Sequence, residues 1–264
     1  MMKRRTIILG GGATLALAAA GGFFLRPREG LAVSSRSFDW KATDFLSGGT
    51  GSLPATLPDP VFRSKPNCVA TCSKTLGPCH VNDVAVRTDI SEGRAGLPVR
   101  LSLRLVSSTD CKPVEGADVE IWHTDAKGVY SGRAADMCNP GDASAKARLA
   151  FRGRQISDAD GRVDFHTVYP GWYDGRTVHV HLRILVEGRE LLVSQLLFDD
   201  ALSDLVYDAH PDYAGRVERR TKNGNDGLFS SDEIAAYVFD VEMLEPGVLQ
   251  AAYTIGVSPD GDRC

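Results

Sequence analysis

The chain has 264 residues, of which 43% are hydrophobic and 24% are charged. This composition is that of an ordinary globular protein, and the length allows one sizeable core, so we expect one main domain. The formal net charge is -4, and the Lys and Arg residues are scattered rather than clustered. Because a protein that binds nucleic acid usually carries a basic patch, we expect no nucleic-acid partner.

The N-terminus has the features of an export signal. Residues 3–5, Lys-Arg-Arg, precede an apolar run rich in Gly and Ala, and this order is typical of a secretory leader. The adjacent arginines favour the twin-arginine route. We therefore predict that residues 1–26 are an export signal and that the protein is periplasmic or extracellular. Since residues 23–25 prolong the apolar run to about the length that spans a bilayer, an uncleaved membrane anchor is the alternative.

Residues 27–66 are predicted to form a linker. The segment is rich in Gly, Ser and Pro, as in "LSGGTGSLPATLPDP", and it has no sustained hydrophobic periodicity. We expect a tether or a surface wrap around the catalytic domain, which we assign to residues 67–264.

Short segments in which apolar and polar residues alternate follow the linker, and this pattern is typical of β-strands. Turn signals such as "DAKG" and "DADG" separate them, each with Gly at the last position of a type I turn. The sequence therefore predicts an all-β protein, an antiparallel β-sandwich or barrel with long loops. Short peripheral helices are expected near "DDALSDLVYDAH" and "SSDEIAAYVF". The predicted strands are "LPVRLSLRLV", "ADVEIWHT", "GRVDFHTVY", "TVHVHLRILV" and "LLVSQLLF".

The cysteines all lie beyond the N-terminal segment. An even number of cysteines in an exported chain predicts disulfides. The sequence does not determine their pairing, but we expect at least two bridges and favour Cys68 with Cys111. A thiolate metal site is the alternative, and its weakness is that the paired, closely spaced cysteines of structural zinc sites are absent. The six cysteines are Cys68, Cys72, Cys79, Cys111, Cys138 and Cys264.

The stretch "RTVHVHLRILV" places two of the six histidines on one strand. Because side chains alternate between the two faces of a strand, His179 and His181 lie side by side, opposite an apolar face. An isolated pair of this kind is more often structural than metal-binding. Two tyrosines change that expectation, since Tyr130 follows the turn "DAKG" closely and Tyr173 lies in the turn "VYPGWYDGR" before the strand.

Two phenols and two imidazoles form a donor set suited to a hard, highly charged ion. Zinc sites usually use thiolate, imidazole and carboxylate instead. Two phenolates and one hydroxide balance the three charges of iron(III), so a buried site of this kind carries no net charge. We therefore predict one Fe(III) per chain, bound by Tyr130, Tyr173, His179 and His181.

Three stretches of the chain resemble the intradiol ring-cleavage dioxygenases, a family of non-haem iron(III) enzymes that includes the protocatechuate and catechol dioxygenases. They are "IWHTDAKGVYSG", "YPGWYDGRTVHVHLRI" and "SQLLFDD", and the likeness runs over roughly residues 68–257. The resemblance implies a β-sandwich and the same four iron ligands. It also implies that Tyr173 is the ligand displaced by substrate, that His181 is the axial histidine, and that Arg176 and Gln195 contact bound substrate.

The activity implied by the resemblance is cleavage of an aromatic ring between two hydroxylated carbons. A catechol-type diol would react with dioxygen and give a cis,cis-muconate-type diacid. Cys79 follows "GP", where family members commonly carry an aromatic residue near the pocket, and this difference bears on the choice of substrate. Ring substituents and oligomeric state stay open, with a homo-oligomer as one outcome. The alternatives are a secreted transthyretin-like binding module without catalysis and a zinc hydrolase that uses the same histidines.

Several candidate residues also have a purely structural interpretation. Strand parity would turn Arg176 toward the apolar face, so it must lie in the turn to reach the iron. Gln195 could pair with a neighbouring strand. We expect Trp122 and His123 to pack or form hydrogen bonds, and we assign structural roles to the remaining histidines, which are His80, His166 and His210.

Overall fold

The computed structural model describes residues 38–63, 69–261 and 264. The predicted export signal, residues 1–26, and Cys68 lie outside these ranges. Within the ranges, no helix combines the length and the apolar composition needed to cross a bilayer.

The described residues form eight strands, which pair into two four-stranded sheets. Most of the strand length predicted from alternation is present, with boundaries that differ by one or two residues at most ends. The strands are β1 (Pro98–Ser107), β2 (Asp118–Trp122), β3 (Arg152–Ile156), β4 (Arg162–Val168), β5 (His179–Val186), β6 (Arg189–Leu197), β7 (Asp240–Leu244) and β8 (Val248–Val257).

The two sheets form a β-sandwich around one apolar core. One sheet has the order β4-β1-β8-β7 and the other β3-β2-β5-β6. Strand alternation explains the layer between them, because Leu101 and Leu103 of β1 and Leu182 and Ile184 of β5 all enter the same core cluster. The predicted β-sandwich is confirmed. One pair, β1 with β8, is parallel, and the other strand pairs are antiparallel.

Three strands were missed by the sequence prediction. The sequence of β3, "RGRQI", is largely polar because its second half lies at a partly exposed edge. The sequence of β8, "VLQAAYTIGV", lacks clear alternation because both faces are largely buried. β7 is a short edge strand with two acidic residues, a composition that does not favour strand prediction.

The helices are short and peripheral, as predicted. The stretch "DDALSDLVYDAH" forms a helix that buries Leu202 and Val206, whereas "SSDEIAAYVF" contains only a single 3-10 turn. The α-helices are α1 (Ala143–Lys146) and α2 (Asp200–Ala209), and the 3-10 turns are Ala42–Asp44, Gly49–Ser52, Asp136–Cys138, Asn223–Asn225 and Ile234–Tyr237.

The described part of the predicted linker contacts the sandwich directly. Phe45 is buried in the apolar core. Thr50 Oγ1 donates a hydrogen bond to Asp89 Oδ2 at 2.8 Å, and the carbonyl of Pro58 accepts one from Arg100 Nη1 at 2.5 Å. Residues 38–63 thus lie along the domain surface.

Two disulfides join described cysteines, Cys72 with Cys264 and Cys79 with Cys138. The prediction of at least two bridges is confirmed. Cys111 is also disulfide-bonded, but its predicted partner, Cys68, lies outside the described residues. Since no described cysteine is free, the alternative of a thiolate metal site finds no free ligand in this part of the chain.

Candidate metal and substrate site

The four predicted ligands lie together at one end of β5. The atom Nε2 of His179 is 3.1 Å from Nε2 of His181 and 3.1 Å from the hydroxyl oxygen of Tyr130. The hydroxyl oxygen of Tyr173 lies 3.4 Å from the same nitrogen. The structure therefore brings the side chains of all four predicted ligands together.

Local structure explains this convergence. β5 begins at His179, so the two histidines lie at the start of the strand, next to the preceding turn. The strand itself is paired with β2 on one side and β6 on the other. In the sheet register, Trp122 of β2 and Gln195 of β6 lie directly across from His181. The Trp122 ring stacks on the His181 ring with 4.8 Å between centroids and 9° between planes. The strand thereby fixes the imidazoles before any ligand binds.

Both imidazoles are neutral and buried. The Nδ1–H group of His179 donates a hydrogen bond to the carbonyl of Thr177 at 2.6 Å, which directs the lone pair of Nε2 into the cluster. Burial, followed by the nearby charge of Arg176, lowers the pKa of His179 to about 3. Burial and the adjacent His179 lower the pKa of His181 well below its ordinary value. Two neutral nitrogen donors are therefore available.

The phenols are also buried, but to different degrees. Tyr130 has only 2% of its surface exposed, while Tyr173 is partly exposed. Burial raises the pKa of Tyr130 well above its ordinary value, and the neighbouring Tyr173 adds to the rise. Burial likewise raises the pKa of Tyr173. With these raised pKa values, both phenols are protonated at neutral pH, and a metal ion bound between them would favour the phenolates.

The donor set fits a transition-metal ion. Ligands that bind one ion at about 2.0–2.2 Å lie about 3 Å from one another when neighbouring bonds are roughly perpendicular. The separations of 3.1, 3.1 and 3.4 Å around His179 Nε2 match this spacing. Within the described ranges, no group of three His, Cys, Asp or Glu side chains could hold a metal. The site therefore depends on its tyrosines, which favours a hard ion over zinc.

Arg176 and Gln195 adjoin the cluster and contact each other. As predicted, Arg176 lies in the turn before β5, and its Nη2 donates a hydrogen bond to Gln195 Oε1 at 2.5 Å. Gln195 in turn donates from Nε2 to the carbonyl of Thr75 at 3.0 Å. Gln195 is fully buried, so its amide has a fixed orientation and holds the guanidinium on one side.

Asp226 holds the guanidinium on the other side, and this contact was not predicted from the sequence. Its Oδ2 accepts hydrogen bonds from Arg176 Nε at 2.9 Å and from the backbone amide of Thr177 at 2.8 Å. Burial would raise the pKa of Asp226, but the amides of Thr177 and Leu228 and the charge of Arg176 lower it below its ordinary value. An Asp among Asn and Gly residues is an ordinary turn signal, so the sequence gives no indication of this contact.

Ring nitrogens of His80, His123 and His210, which were expected to be structural, form hydrogen bonds. The Nδ1–H group of His123 donates a hydrogen bond to the carbonyl of Thr124, and its Nε2 accepts one from Thr167 Oγ1, each at 2.7 Å. Burial lowers the pKa of His123 to about 4. His80 Nε2 lies 2.9 Å from Glu120 Oε1. Both ring nitrogens of His123 are therefore engaged in hydrogen bonds, as is Nε2 of His80.

One further neighbour was not expected. The disulfide Cys79–Cys138 packs in a buried apolar cluster with Trp122 and Tyr130. The residue after "GP" thus lines the back of the site as half of a disulfide. The unusual residue at position 79 was evident from the sequence, but its pairing with Cys138 was not predicted.

Comparisons with known proteins agree with this geometry. A family model described as "Dioxygenase" matches residues 76–244. Catechol 1,2-dioxygenase 1 of Acinetobacter lwoffii is 26% identical over 195 residues, covering 67% of this chain and 55% of that protein. The 6-chlorohydroxyquinol 1,2-dioxygenase of Cupriavidus pinatubonensis is 31% identical over 181 residues, covering 60% of each. The chain spans about half the length of the first curated relatives it matches.

A solved structure supports the same relationship. The intradiol ring-cleavage dioxygenase from Tetranychus urticae superposes with a TM-score of 0.64 at 30% sequence identity. The match covers 73% of this chain and 96% of that chain. The described sandwich therefore corresponds to nearly the whole of that protein.

Proposed function

Because the chain belongs to the intradiol ring-cleavage dioxygenase family, we propose that it is a non-haem iron(III) dioxygenase acting on a catechol-type diol. The ring would open between the two hydroxylated carbons, with incorporation of dioxygen, to give a cis,cis-muconate-type diacid. The observation that carries the proposal is the convergence of two phenols and two neutral imidazoles around one point.

Tyr130, Tyr173, His179 and His181 would hold the ion. Bound iron(III) would supply Lewis acidity and a template for the diol oxygens. The buried face of Tyr130 and the stacked pair of Trp122 and His181 exclude water from the inner side of the site. Substrate would therefore approach from the side of Tyr173, which is the partly exposed tyrosine.

Tyr173 is also suited to accept a proton from the diol. It has the longest separation from His179 among the three donors around that nitrogen, and it is less buried than Tyr130. Burial raises the pKa of its phenol, so a phenolate released at this position is a strong base. We propose that its phenolate oxygen takes up a proton from an incoming hydroxyl group of the diol, and that the phenol gives up this proton again when product leaves.

Arg176 would stabilise negative charge on the bound diol and on the ring as it reacts. Its guanidinium is fixed by Asp226 and Gln195 and does not have to reorganise during the reaction. A preorganised positive charge in a site sheltered from water is an effective electrostatic catalyst. Gln195, which contacts Arg176 directly, would keep this charge aimed at the substrate.

The substrate class is a small catechol-type diol. The curated relatives carry names that include catechol and 6-chlorohydroxyquinol 1,2-dioxygenase, so both kinds of ring belong in a substrate test. Export from the cytoplasm is part of the proposal, and the disulfides support it because such bridges persist in oxidising compartments.

Metal analysis of the purified protein tests the proposal. We expect about one iron per chain and a reddish colour from charge transfer between phenolate and iron(III). Catechol and hydroxyquinol should then be opened with one dioxygen consumed per ring. Protein that contains zinc instead would support the hydrolase alternative. Colourless protein that stays inactive after loading with iron(III) would support a binding module, and either outcome would refute the proposal.

A further inference from the structure

We propose that the disulfide Cys79–Cys138 is a positioning element of the candidate site, which fixes the loop that carries Tyr130 in its metal-binding position. The inference rests on the proposed function, since it assigns a purpose to a bridge beside the iron ligands. It differs from a general stabilising role because it predicts a local effect on one ligand.

Cys138 and Asn139, at the end of the loop of residues 130–139, form hydrogen bonds with the backbone amide and carbonyl of Tyr130. The amide of Tyr130 donates a hydrogen bond to the carbonyl of Cys138 at 3.1 Å. Asn139 donates from Nδ2 to the carbonyl of Tyr130 at 3.0 Å and to the carbonyl of Gly132 at 2.8 Å. The loop of residues 130–139 thus closes on itself, and the position of Tyr130 depends on where residues 138 and 139 lie.

Besides the disulfide, that end of the loop is held mainly by hydrogen bonds within residues 130–142, and Asn139 is fully buried. Its only regular structure is the 3-10 turn Asp136–Cys138, and Met137 within the turn has 75% of its surface exposed. The ion pair between Asp136 and Lys146 lies at the surface, where such pairs contribute little. The start of the loop is held separately, because Arg152 Nε donates to the carbonyl of Ser131 at 3.0 Å.

Cys79, the other half of the disulfide, follows a segment that also contacts the site. The carbonyl of Thr75 accepts a hydrogen bond from Gln195. Gly77 has a positive φ of 76°, and a Cβ atom there would lie 3.2 Å from Cε1 of His181. The disulfide therefore ties the Tyr130 loop to the segment that packs against the other ligand strand.

The bridge and the ligand that it positions lie in the same buried cluster. Cys79 and Cys138 are both buried in one apolar cluster with Tyr130 and Trp122, and Tyr173 packs against that cluster. A crosslink at this place removes alternative positions of the loop before metal binds. Preorganisation by the residues behind a ligand commonly changes metal affinity by about 10- to 100-fold.

The second described bridge provides a matched control. Cys72–Cys264 joins residues 192 apart in sequence, and neither cysteine belongs to the apolar cluster around Tyr130. The double variants Cys79→Ser/Cys138→Ser and Cys72→Ser/Cys264→Ser each remove one bridge and are compared with the wild-type full-length chain.

The first measurement needs no metal. Hydrogen exchange is followed in a peptide that covers residues 130–139 of the metal-free protein. We expect the Cys79→Ser/Cys138→Ser variant to lose protection at the amide of Tyr130, while the control variant keeps it. The second measurement is titration with iron(III), for which we expect affinity about 10- to 100-fold lower and a changed charge-transfer band only in the first variant.

The outcomes separate this inference from the proposed function. Wild-type protein that fails to bind iron(III) would refute the proposed function, whereas the exchange data would still report on the loop. Unchanged exchange and unchanged iron affinity in Cys79→Ser/Cys138→Ser would overturn the inference, as would equal losses in both variants. If the first variant does not fold, Cys79→Ala/Cys138→Ala, which places no hydroxyl group in the buried apolar cluster, takes its place in the same two measurements.

Discussion

At the scale of single residues, the site places two chemically similar tyrosines in different surroundings. Tyr130 is nearly inaccessible and its backbone is bonded on both sides. Tyr173 lies in a turn, is partly exposed and is 3.4 Å from His179 Nε2. The more accessible phenol can move with less disturbance of the core, so we assign ligand exchange to Tyr173 and a permanent ligand role to Tyr130.

The substitution Tyr173→Phe should preserve the binding of catechol to iron and slow turnover. A catechol dianion supplies the negative charge that the lost phenolate would have contributed, but the proton acceptor is gone. We expect turnover to fall by about 10²- to 10⁴-fold, the range of a general acid–base group. Iron content, the spectral change on adding catechol and the rate of ring opening are measured together.

The variant His181→Ala serves as the comparison. Substrate offers no replacement for this imidazole, so the iron content itself should fall. If Tyr173→Phe kept both full turnover and the resting spectrum, Tyr173 would not be a ligand and the site would have to be rebuilt around another residue.

Asp226 should make the stability of the metal-free protein depend on pH. Its folded-state pKa is lowered, so its contribution is complete above its ordinary pKa of about 4 and is lost as pH falls through the lower folded-state value. At pH 7, Asp226→Asn should destabilise the protein by about 1.5–3 kcal/mol, because hydrogen bonds to a charged acceptor are lost. Denaturant unfolding from pH 7 down to pH 3 measures the difference.

The difference between wild type and Asp226→Asn should therefore shrink below about pH 4. The exposed Asp208 on α2 provides the control, and Asp208→Asn should change stability by less than about 0.5 kcal/mol. A gap between wild type and Asp226→Asn that stayed constant over this range would show that the carboxylate charge does not matter.

At the scale of secondary-structure elements, β5 is the element on which the site is built. It pairs with β2 on one side and β6 on the other. His181 therefore lies opposite Trp122 in β2 and opposite Gln195 in β6. Its opposite face packs Val180, Leu182 and Ile184 into the core. A shift of one residue in register would exchange these faces, so core packing and site geometry depend on the same alignment.

The helix α2 illustrates how a local signal fixes an element boundary. Asp199 is the N-cap, and its Oδ1 accepts a hydrogen bond from the amide of Ala201 at 2.8 Å. The variant Asp199→Ala should lower the free energy of unfolding by about 1 kcal/mol, because a helix N-cap is lost. Asp199→Asn, which can still accept that bond, should cost clearly less. Equal losses in the two variants, measured by denaturant unfolding, would contradict a capping role.

At the scale of the whole molecule, the disulfides connect distant parts of the chain to the sandwich. Cys72–Cys264 brings the last residue to the segment before the first strand, and Cys79–Cys138 joins the segment before β1 to the loop after β2. Each closes a long loop, so each restricts the unfolded chain and is expected to contribute about 2–4 kcal/mol.

Mass mapping of peptides from non-reduced, exported protein tests the pairing. We expect the pairs Cys72–Cys264 and Cys79–Cys138, and we keep the prediction that Cys68 pairs with Cys111, which is disulfide-bonded. Peptides that show Cys79 joined to any cysteine other than Cys138 would contradict the structure. Six free thiols would refute the disulfide prediction altogether.

Features that depend on local periodicity and residue chemistry were predictable from the amino-acid sequence. Alternation predicted β1, β2, β4, β5 and β6, because strand geometry imposes a period of two wherever one face is buried. The same parity placed His179 and His181 on one face. The chemistry of phenol and imidazole, together with the family resemblance, predicted that Tyr130 and Tyr173 are metal ligands.

Contacts between residues far apart in the chain are visible only in the folded protein. The parallel pairing of β1 with β8, the contact between Asp226 and Arg176 and the disulfide behind Tyr130 join segments that lie far apart in the chain. The local sequence of each segment predicts only a strand, a turn or a disulfide-bonded cysteine. It does not indicate which distant segment will be the partner. Such contacts arise from the packing of whole sheets and loops, and this packing converts a recognisable set of residues into a site with defined distances.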